Sequence, residues 1–280
     1  MMKYFFGIVI CAFLINFSCT QKNLSYKLVT NNNYNKNTLA EIKNIDINLF
    51  DTLNFTSNGI QIKYRFLKPE NITGTNENSF PLVIILHGSG EIGTNNTAQM
   101  GLLAKMWATN NFKTKYPAFI VVPQFPKRSS SYINDSLIKL PTSQAQPALQ
   151  TIISLIDSLK YNPRIDTKRI YLVGFSMGAS TAMNALDKRK DLFAAAVAFS
   201  GIPDFYGNVI HKPLWIIHGN ADKENTFSSD SLFYNKMKTN KGMLIKFWEI
   251  NNLKHEVPLS FITSEAIPKW LFKQKNNFIL

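Results

Sequence analysis

Five residues near the middle of the chain, Gly174-Phe175-Ser176-Met177-Gly178, limit the possible folds more than any other stretch. Before them runs Arg169-Ile170-Tyr171-Leu172-Val173, rich in strand formers, and after them Ala179 to Leu186, rich in alanine and readable as helix. A serine between glycines where a strand turns into a helix is a demanding arrangement. The Ser176 hydroxyl has to stand clear of the sheet edge on a strained turn. Gly174 and Gly178 are needed because a Cβ at either place would strike the neighbouring strand or helix. A plain Gly/Ser turn reads the same over five residues, so the rest of the chain has to discriminate.

The 280 residues suffice for one large domain with a sizeable core. With 45% hydrophobic and 18% charged residues the composition is globular rather than disordered. The start of the chain stands apart. Met1-Met2-Lys3 precedes an apolar stretch of about fourteen residues, Tyr4 to Phe17, and polar sequence follows from Thr20. That stretch is short for a membrane span and has the layout of a secretory signal. Ser18-Cys19 behind it resembles a bacterial lipoprotein cleavage site, with Asn16 where an aliphatic residue is usual. On this reading residues 1–19 are a signal peptide, Cys19 carries the lipid, and residues 20–45, rich in Asn and Lys, are a polar tether. The expectation is an exported protein of the cell envelope, held to a membrane by its N-terminus.

Both cysteines, Cys11 and Cys19, fall in that leader, which leaves the mature chain without a disulfide, a cysteine metal site or a thiol nucleophile. The net charge of +13 suggests nucleic acid, yet the lysines are scattered among asparagines with no dense basic run. Solubility, or attraction to anionic surfaces, accounts for the charge, and no nucleic-acid partner is expected.

Beyond the tether, Ile47 to Leu53 and the alternating Ile60 to Phe66 read as strands with one wet face. From Pro81 the character changes to continuous apolar runs, as expected of parallel strands covered on both faces: Leu82 to Leu86, Ala118 to Val122, Ile170 to Val173, Ala194 to Phe199, Leu214 to Ile217 and Leu244 to Ile250. Helix-length segments separate them, at Met100 to Asn110, Ala145 to Leu159, after Ser176, at Ser229 to Met237 and at Ser264 to Phe272. Strands alternating with helices predict an α/β fold with a mostly parallel, doubly wound sheet.

Together, His87-Gly88-Ser89-Gly90-Glu91, Pro123-Gln124, Gly174 to Gly178, His218-Gly219-Asn220-Ala221-Asp222 and His255 resemble the serine esterases of the α/β-hydrolase superfamily. The likeness runs over about residues 45 to 275. It is nearest to the compact group of dienelactone hydrolase-like proteins, acyl-thioesterase-like carboxylesterases, and peptidases related to polyhydroxybutyrate depolymerase and feruloyl esterase. Phe125-Pro126 departs from the Cys-Pro often found in that group, and Ala179 stands where a third glycine is common.

The resemblance implies an eight-stranded α/β-hydrolase domain over residues 46–280, helices on both faces, with Ser176 after the fifth strand. It also implies the chain order nucleophile, acid, histidine. Of the four histidines, His87 precedes the elbow, His211 lies at the entry of a strand, His218 at the exit of the same strand, and His255 after the last. That order makes His255 the base. Asp222 is the expected acid, with Glu224 and Asp204 as rivals, and His218 is expected to brace the Asp222 loop. The oxyanion hole is expected from the N–H groups of Met177 and Ser89, with Gly90 as alternative to Ser89.

Only thirteen residues separate Ser200 from Leu214, which leaves no room for a cap and predicts an open site. Its expected rim is the polar loop from Lys127 to Ser143 with Gly201 to Tyr206. Gly88, Gly90, Phe205 and Tyr206 are candidate substrate contacts; Trp107, Phe125 and Tyr132 fit either a pocket or ordinary packing. Lys127-Arg128 fits a substrate anion or a solvated loop.

The expected chemistry is ester hydrolysis by double displacement, on a small or polysaccharide-linked acyl or feruloyl ester, and it asks for no metal or organic cofactor. Two other readings stand beside it. One is a serine peptidase of the prolyl oligopeptidase kind, although residues 20 to 80 cannot supply the propeller those enzymes carry. The other is a surface binding protein that keeps the fold without turnover.

Overall fold

The structure, a computed structural model, describes residues 25–30, 33–70, 79–207, 212–238 and 244–276. The proposed leader with Cys11 and Cys19, and His211, lie outside the described residues. Eleven strands are described: β1 Ser25–Val29, β2 Asp51–Ser57, β3 Ile60–Leu67, β4 Phe80–Leu86, β5 Phe119–Gln124, β6 Ser130–Asp135, β7 Leu140–Ala145, β8 Ile165–Phe175, β9 Ala195–Phe199, β10 Leu214–Gly219 and β11 Ile245–Ile250. The helices are α1 Lys36–Lys43, α2 Leu102–Lys105, α3 Asn110–Lys115, α4 Pro147–Leu159, α5 Met177–Lys188, α6 Phe227–Lys238, α7 Leu259–Ile262 and α8 Ala266–Leu271.

Nine strands form the main sheet in the order β1-β11-β10-β9-β8-β4-β5-β3-β2. Pairing is parallel from β1 across to β5 and antiparallel between β5, β3 and β2. The continuous apolar runs are explained by covering on both faces. In β4, Leu82, Ile84 and Leu86 point to the layer of α4, α5 and α6, while Val83 and Ile85 point to the layer of α1, α2, α3, α7 and α8. In β8, Ile170 and Leu172 face the first layer and Tyr171 and Val173 the second. A strand with two dry faces gains nothing from polar alternation.

The α/β-hydrolase architecture expected from the sequence is therefore present, with one strand more than the eight predicted. The extra strand is β1. In the stretch read as a polar tether, Ser25–Val29 instead pair with β11, and Lys36–Lys43 form a helix whose Leu39 and Ile42 are buried. Asn35 caps that helix by accepting from the Thr38 N–H at 3.0 Å. Exposed Tyr26 and Leu28 flank Lys27 in β1, the weak pattern of an edge strand. The first antiparallel strand also begins later than predicted, because Ile47–Leu49 is a 3-10 turn and the strand starts at Asp51. The rim expected as a loop is the hairpin of β6 and β7, paired from Ser130 opposite Ala145 to Asp135 opposite Leu140. It is pinned to α5 by hydrogen bonds of Ser129 Oγ with Thr181 Oγ1 (2.8 Å) and Tyr132 Oη with Ser180 Oγ (3.2 Å).

Candidate active site

The C-terminal ends of β4, β8, β10 and β11 converge, and each delivers one part of the site. At the end of β8, Ser176 has φ 55° and ψ −120°, a conformation that costs about 1–3 kcal/mol for a residue with a Cβ. Its N–H donates to Phe199 O at 2.9 Å, which holds the turn against β9. The flanking glycines are required by contact rather than by their own dihedrals. A Cβ on Gly174 would lie 2.2 Å from Gly178 O, and one on Gly178 would lie 2.1 Å from Leu86 O. The start of α5 thus abuts the end of β4, and Met177, the first residue of α5, offers an N–H with no carbonyl of its own helix to meet.

The loop after β4 is shaped by His87. Its ring is buried and accepts from the Phe125 N–H at Nε2 (2.9 Å), while Nδ1–H donates to Gly88 O (2.6 Å). Burial pushes its pKa down to about 4, against the pull of the Gly88 carbonyl, so the ring is neutral at physiological pH. Gly88 caps a 3-10 turn, Ser89–Glu91, with Ser89 exposed at its head. Gln124 fastens the far side of the loop, donating to Glu91 O at 3.0 Å and accepting from the Asn96 N–H at 2.6 Å.

The loops after β10 and β11 are laced together by backbone. Asn220 N–H donates to Ile250 O (3.0 Å) and Ala221 N–H to Leu253 O (3.1 Å); a Cβ on Gly219 would lie 2.2 Å from that Leu253 carbonyl. This contact carries Asp222 and His255 to the same place. His255 Nδ1–H donates to Asp222 Oδ2 at 2.7 Å, and Ser176 Oγ–H donates to His255 Nε2 at 2.8 Å. The Phe175 ring lies against the His255 imidazole, with centroids 4.9 Å apart.

Asp222 is further fixed by the Glu224 and Asn225 N–H groups on Oδ1, at 2.9 and 3.0 Å. Burial works against its ionisation, but hydrogen bonds from His218, His255 and Asn225 outweigh it and hold the carboxyl well below the usual range. His218 is fully buried behind it, with Nδ1 2.7 Å from Asp230 Oδ2 and Nε2 3.2 Å from Asp222 Oδ2 and 3.0 Å from Asn225 O. Burial opposes its charge too, yet the two carboxylates push its pKa up to about 9. His218 therefore braces the Asp222 loop, as expected, between two acidic side chains that favour its protonated form, while burial raises the pKa of Asp230 in turn.

The structure brings Ser176, Asp222 and His255 together and leaves the rival acids apart. Asp204 Oδ1 accepts from the Tyr206 N–H, and Glu224 Oε2 is 3.8 Å from His255 Nε2 on a side chain 76% exposed. Three pocket candidates are packing residues instead. Phe205 is buried and meets Phe233 edge-on at 6.1 Å, Trp107 lies between Phe112 and Phe272, and Phe125 is fully buried. Tyr206 is exposed, its hydroxyl on Asp135 of β6, and Gly90 has open space around it. Only Gly88 of the four candidate contacts borders the cavity beside the site.

Asp230 was not anticipated from the sequence. The signal was present: in α6 it shares the spacing of Phe227, Phe233, Tyr234 and Met237, so a carboxylate sits on an apolar stripe. Among the described residues no group of three or more His, Cys, Asp or Glu is placed to hold a metal ion.

Comparison with known proteins bears on the family and the fold. A stretch of 79 residues is 32% identical to a bifunctional acetylxylan esterase/xylanase of Neocallimastix patriciarum, covering 28% of this chain and 12% of that protein. The fold superposes on a thermostable esterase with TM-score 0.70 and 26% identity, over 82% of this chain and 64% of the other. The fold is also that of Est1E from Butyrivibrio proteoclasticus (TM-score 0.54, 17% identity, 79% of this chain, 98% of the other) and of the Pyrococcus horikoshii acylaminoacyl peptidase (0.57, 16%, 82% and 42%). The chain thus spans about an eighth of its curated relative and just under two thirds of the thermostable esterase. Residues 73–250 match the family model described as the dienelactone hydrolase family, and to that family the chain belongs.

Proposed function

We propose that this chain hydrolyses carboxylic esters through an acyl-enzyme on Ser176. The observation that carries the reading is the unbroken chain of hydrogen bonds from Ser176 Oγ to His255 (2.8 Å) and on to Asp222 (2.7 Å), hung from a backbone turn strained at φ 55°. A serine hydroxyl is a weak nucleophile until a positioned base takes its proton. His255 Nε2 is that base, and the Asp222 carboxylate fixes its tautomer and stabilises the imidazolium as it forms. Attack of Oγ on the ester carbon puts negative charge on the carbonyl oxygen, which the N–H groups of Met177 and Ser89 meet. His255 then returns the proton to the departing alkoxide, and water repeats the sequence to free the acid.

The relatives include both esterases and an acylaminoacyl peptidase. The sequence match to an acetylxylan esterase/xylanase supports the ester reading and points to acetyl groups carried on polysaccharide. The ferulic acid bound to Est1E in another structure makes feruloyl the second candidate. Labelling with a fluorophosphonate probe tests the nucleophile: wild type reacts and Ser176→Ala does not. Failure of the wild type to label beside a control hydrolase overturns the proposal. Turnover of nitrophenyl acetate and a feruloyl ester, with none of a proline amide, separates esterase from peptidase. Export and lipid attachment at Cys19 belong to the same reading; incorporation of labelled palmitate, lost in Cys19→Ala, is the check.

A further inference from the structure

One cavity beside the site has no part in the scheme above. It measures about 300 Å³, at the small end for ligand sites, with room for one ring rather than an extended chain. Its position is informative. Gly88 of the oxyanion loop, Phe175, and Glu256 and Val257 immediately after His255 all border it. The Phe175 ring that forms one wall is the ring packed on the His255 imidazole. In ester hydrolysis the base hands its proton to the leaving oxygen, so the alcohol departs on the side of the histidine. This is that side.

The lining sets the chemistry. Leu102, Val257 and Phe175 supply apolar walls, and the polar side chains at the edge are Glu91, Gln99, Glu256 and His87. Gln99 is 4% exposed and its Nε2 donates to Asn96 Oδ1 at 2.5 Å, which fixes the amide with Oε1 as its acceptor end. That Oε1 accepts no hydrogen bond among the described residues, and neither does the buried Glu91 Oε2, which has only His87 Nδ1 at 3.9 Å. A buried acceptor without a donor costs about 1–3 kcal/mol, which a hydroxyl from a bound molecule would relieve. Charge points the same way. In a chain of net charge +13, this cavity is bordered by Glu91 and Glu256 and, among the described residues, by no lysine or arginine. An anionic alcohol would face two carboxylates with no cation to offset them.

We propose that this cavity receives the alcohol arm of the ester, and that the alcohol it selects is neutral and rich in hydroxyl donors, a single sugar ring with its apolar C–H face on Phe175 and Leu102. The inference rests on the ester-hydrolase reading of Ser176 and adds to it the identity and side of the leaving group.

Two measurements test it. The first is binding without turnover: full-length Ser176→Ala is titrated with methyl xyloside and with methyl glucuronide, followed by ligand-observed NMR. The xyloside shows saturation transfer, the glucuronide does not, and adding Leu102→Trp removes the xyloside signal. The second compares kcat/KM for acetylated methyl xyloside and ethyl acetate, which share the acyl group. Wild type favours the sugar ester by roughly tenfold or more, and Leu102→Trp brings the ratio towards one. Val257→Trp, from the facing wall, repeats the test if Leu102→Trp melts early. Equal handling of xyloside and glucuronide, or a ratio that neither tryptophan moves, overturns the assignment. Brisk turnover with a flat ratio sinks the cavity and leaves the esterase standing. Xyloside binding that is sensitive to Leu102→Trp, without turnover of any ester, sinks the esterase and leaves the cavity.

Discussion

His87 and His218 occupy like positions, both buried at the C-terminal ends of strands in the middle of the sheet, yet their pKa values are pushed in opposite directions. His87 hydrogen-bonds only to neutral groups, the Phe125 N–H and the Gly88 carbonyl, and its one carboxylate neighbour, Glu91 Oε2, stands 3.9 Å from Nδ1, so burial decides and its pKa sits at about 4. His218 meets Asp222 and Asp230, and its pKa rises to about 9 although it is as deeply buried. Depth alone does not set the charge of a buried imidazole; its partners do. The difference suits the two loops. His87 shapes the loop after β4 through hydrogen bonds to neutral groups. His218 helps to hold the Asp222 carboxyl below its usual range and aimed at His255.

The third histidine, His255, touches the serine, and replacing it gives the largest effect. His255→Ala lowers kcat on nitrophenyl acetate by roughly 10⁴-fold or more, whereas His218→Gln and His87→Phe, whose rings do not touch the serine, lower it by far less. Equal losses at all three would erase the distinction. Next comes Asp230→Leu, which leaves the His218 charge with half its compensation and costs about 3 kcal/mol in urea unfolding. If His218 were neutral in the fold, the loss would be nearer that of a single neutral hydrogen bond. His87→Phe removes the acceptor from the Phe125 N–H and costs about 1–3 kcal/mol.

The smallest effect is the most specific. The His218 pKa is raised above its unfolded value near 6.5, so its contribution to stability is full below about pH 6.5 and is lost as pH rises through about 9. The His87 pKa is depressed, so its contribution is present above about pH 6.5 and is lost as pH falls through about 4. Melting temperatures across that range show the two limbs: His218→Gln flattens the alkaline one and His87→Phe the acid one. Limbs that respond to the opposite variants contradict the charge assignment.

The same contrast explains what the sequence made legible. Ser176, Asp222 and His255 could be placed because a glycine-flanked serine and strand-end motifs leave local marks, and the fold because dry strands must be apolar throughout. Asp230 left only a carboxylate on the apolar stripe of α6, a mark that names no partner: that partner is twelve residues away and is reached only through the docking of α6 on β10. The strand β1 was missed for a related reason. At a sheet edge only one side of the ladder and one face need satisfying, so Ser25 to Val29 can alternate Tyr and Leu with Lys and resemble a tether. Phe205 misled in the other direction, since an aromatic after a strand next to the site looks like a pocket wall until Phe233 is seen to cover it.

The direction of β1 has a last consequence. It runs parallel to β11, with Ser25 beside Lys246 and Val29 beside Ile250, so the polypeptide enters the described fold at the end of the sheet opposite Ser176. At about 3.3 Å per residue, the five paired residues set that entry about 15 Å back from the strand ends that deliver His255. The chain thus joins the described fold behind the site, and the strand ends that carry Ser176, Asp222 and His255 point away from that entry.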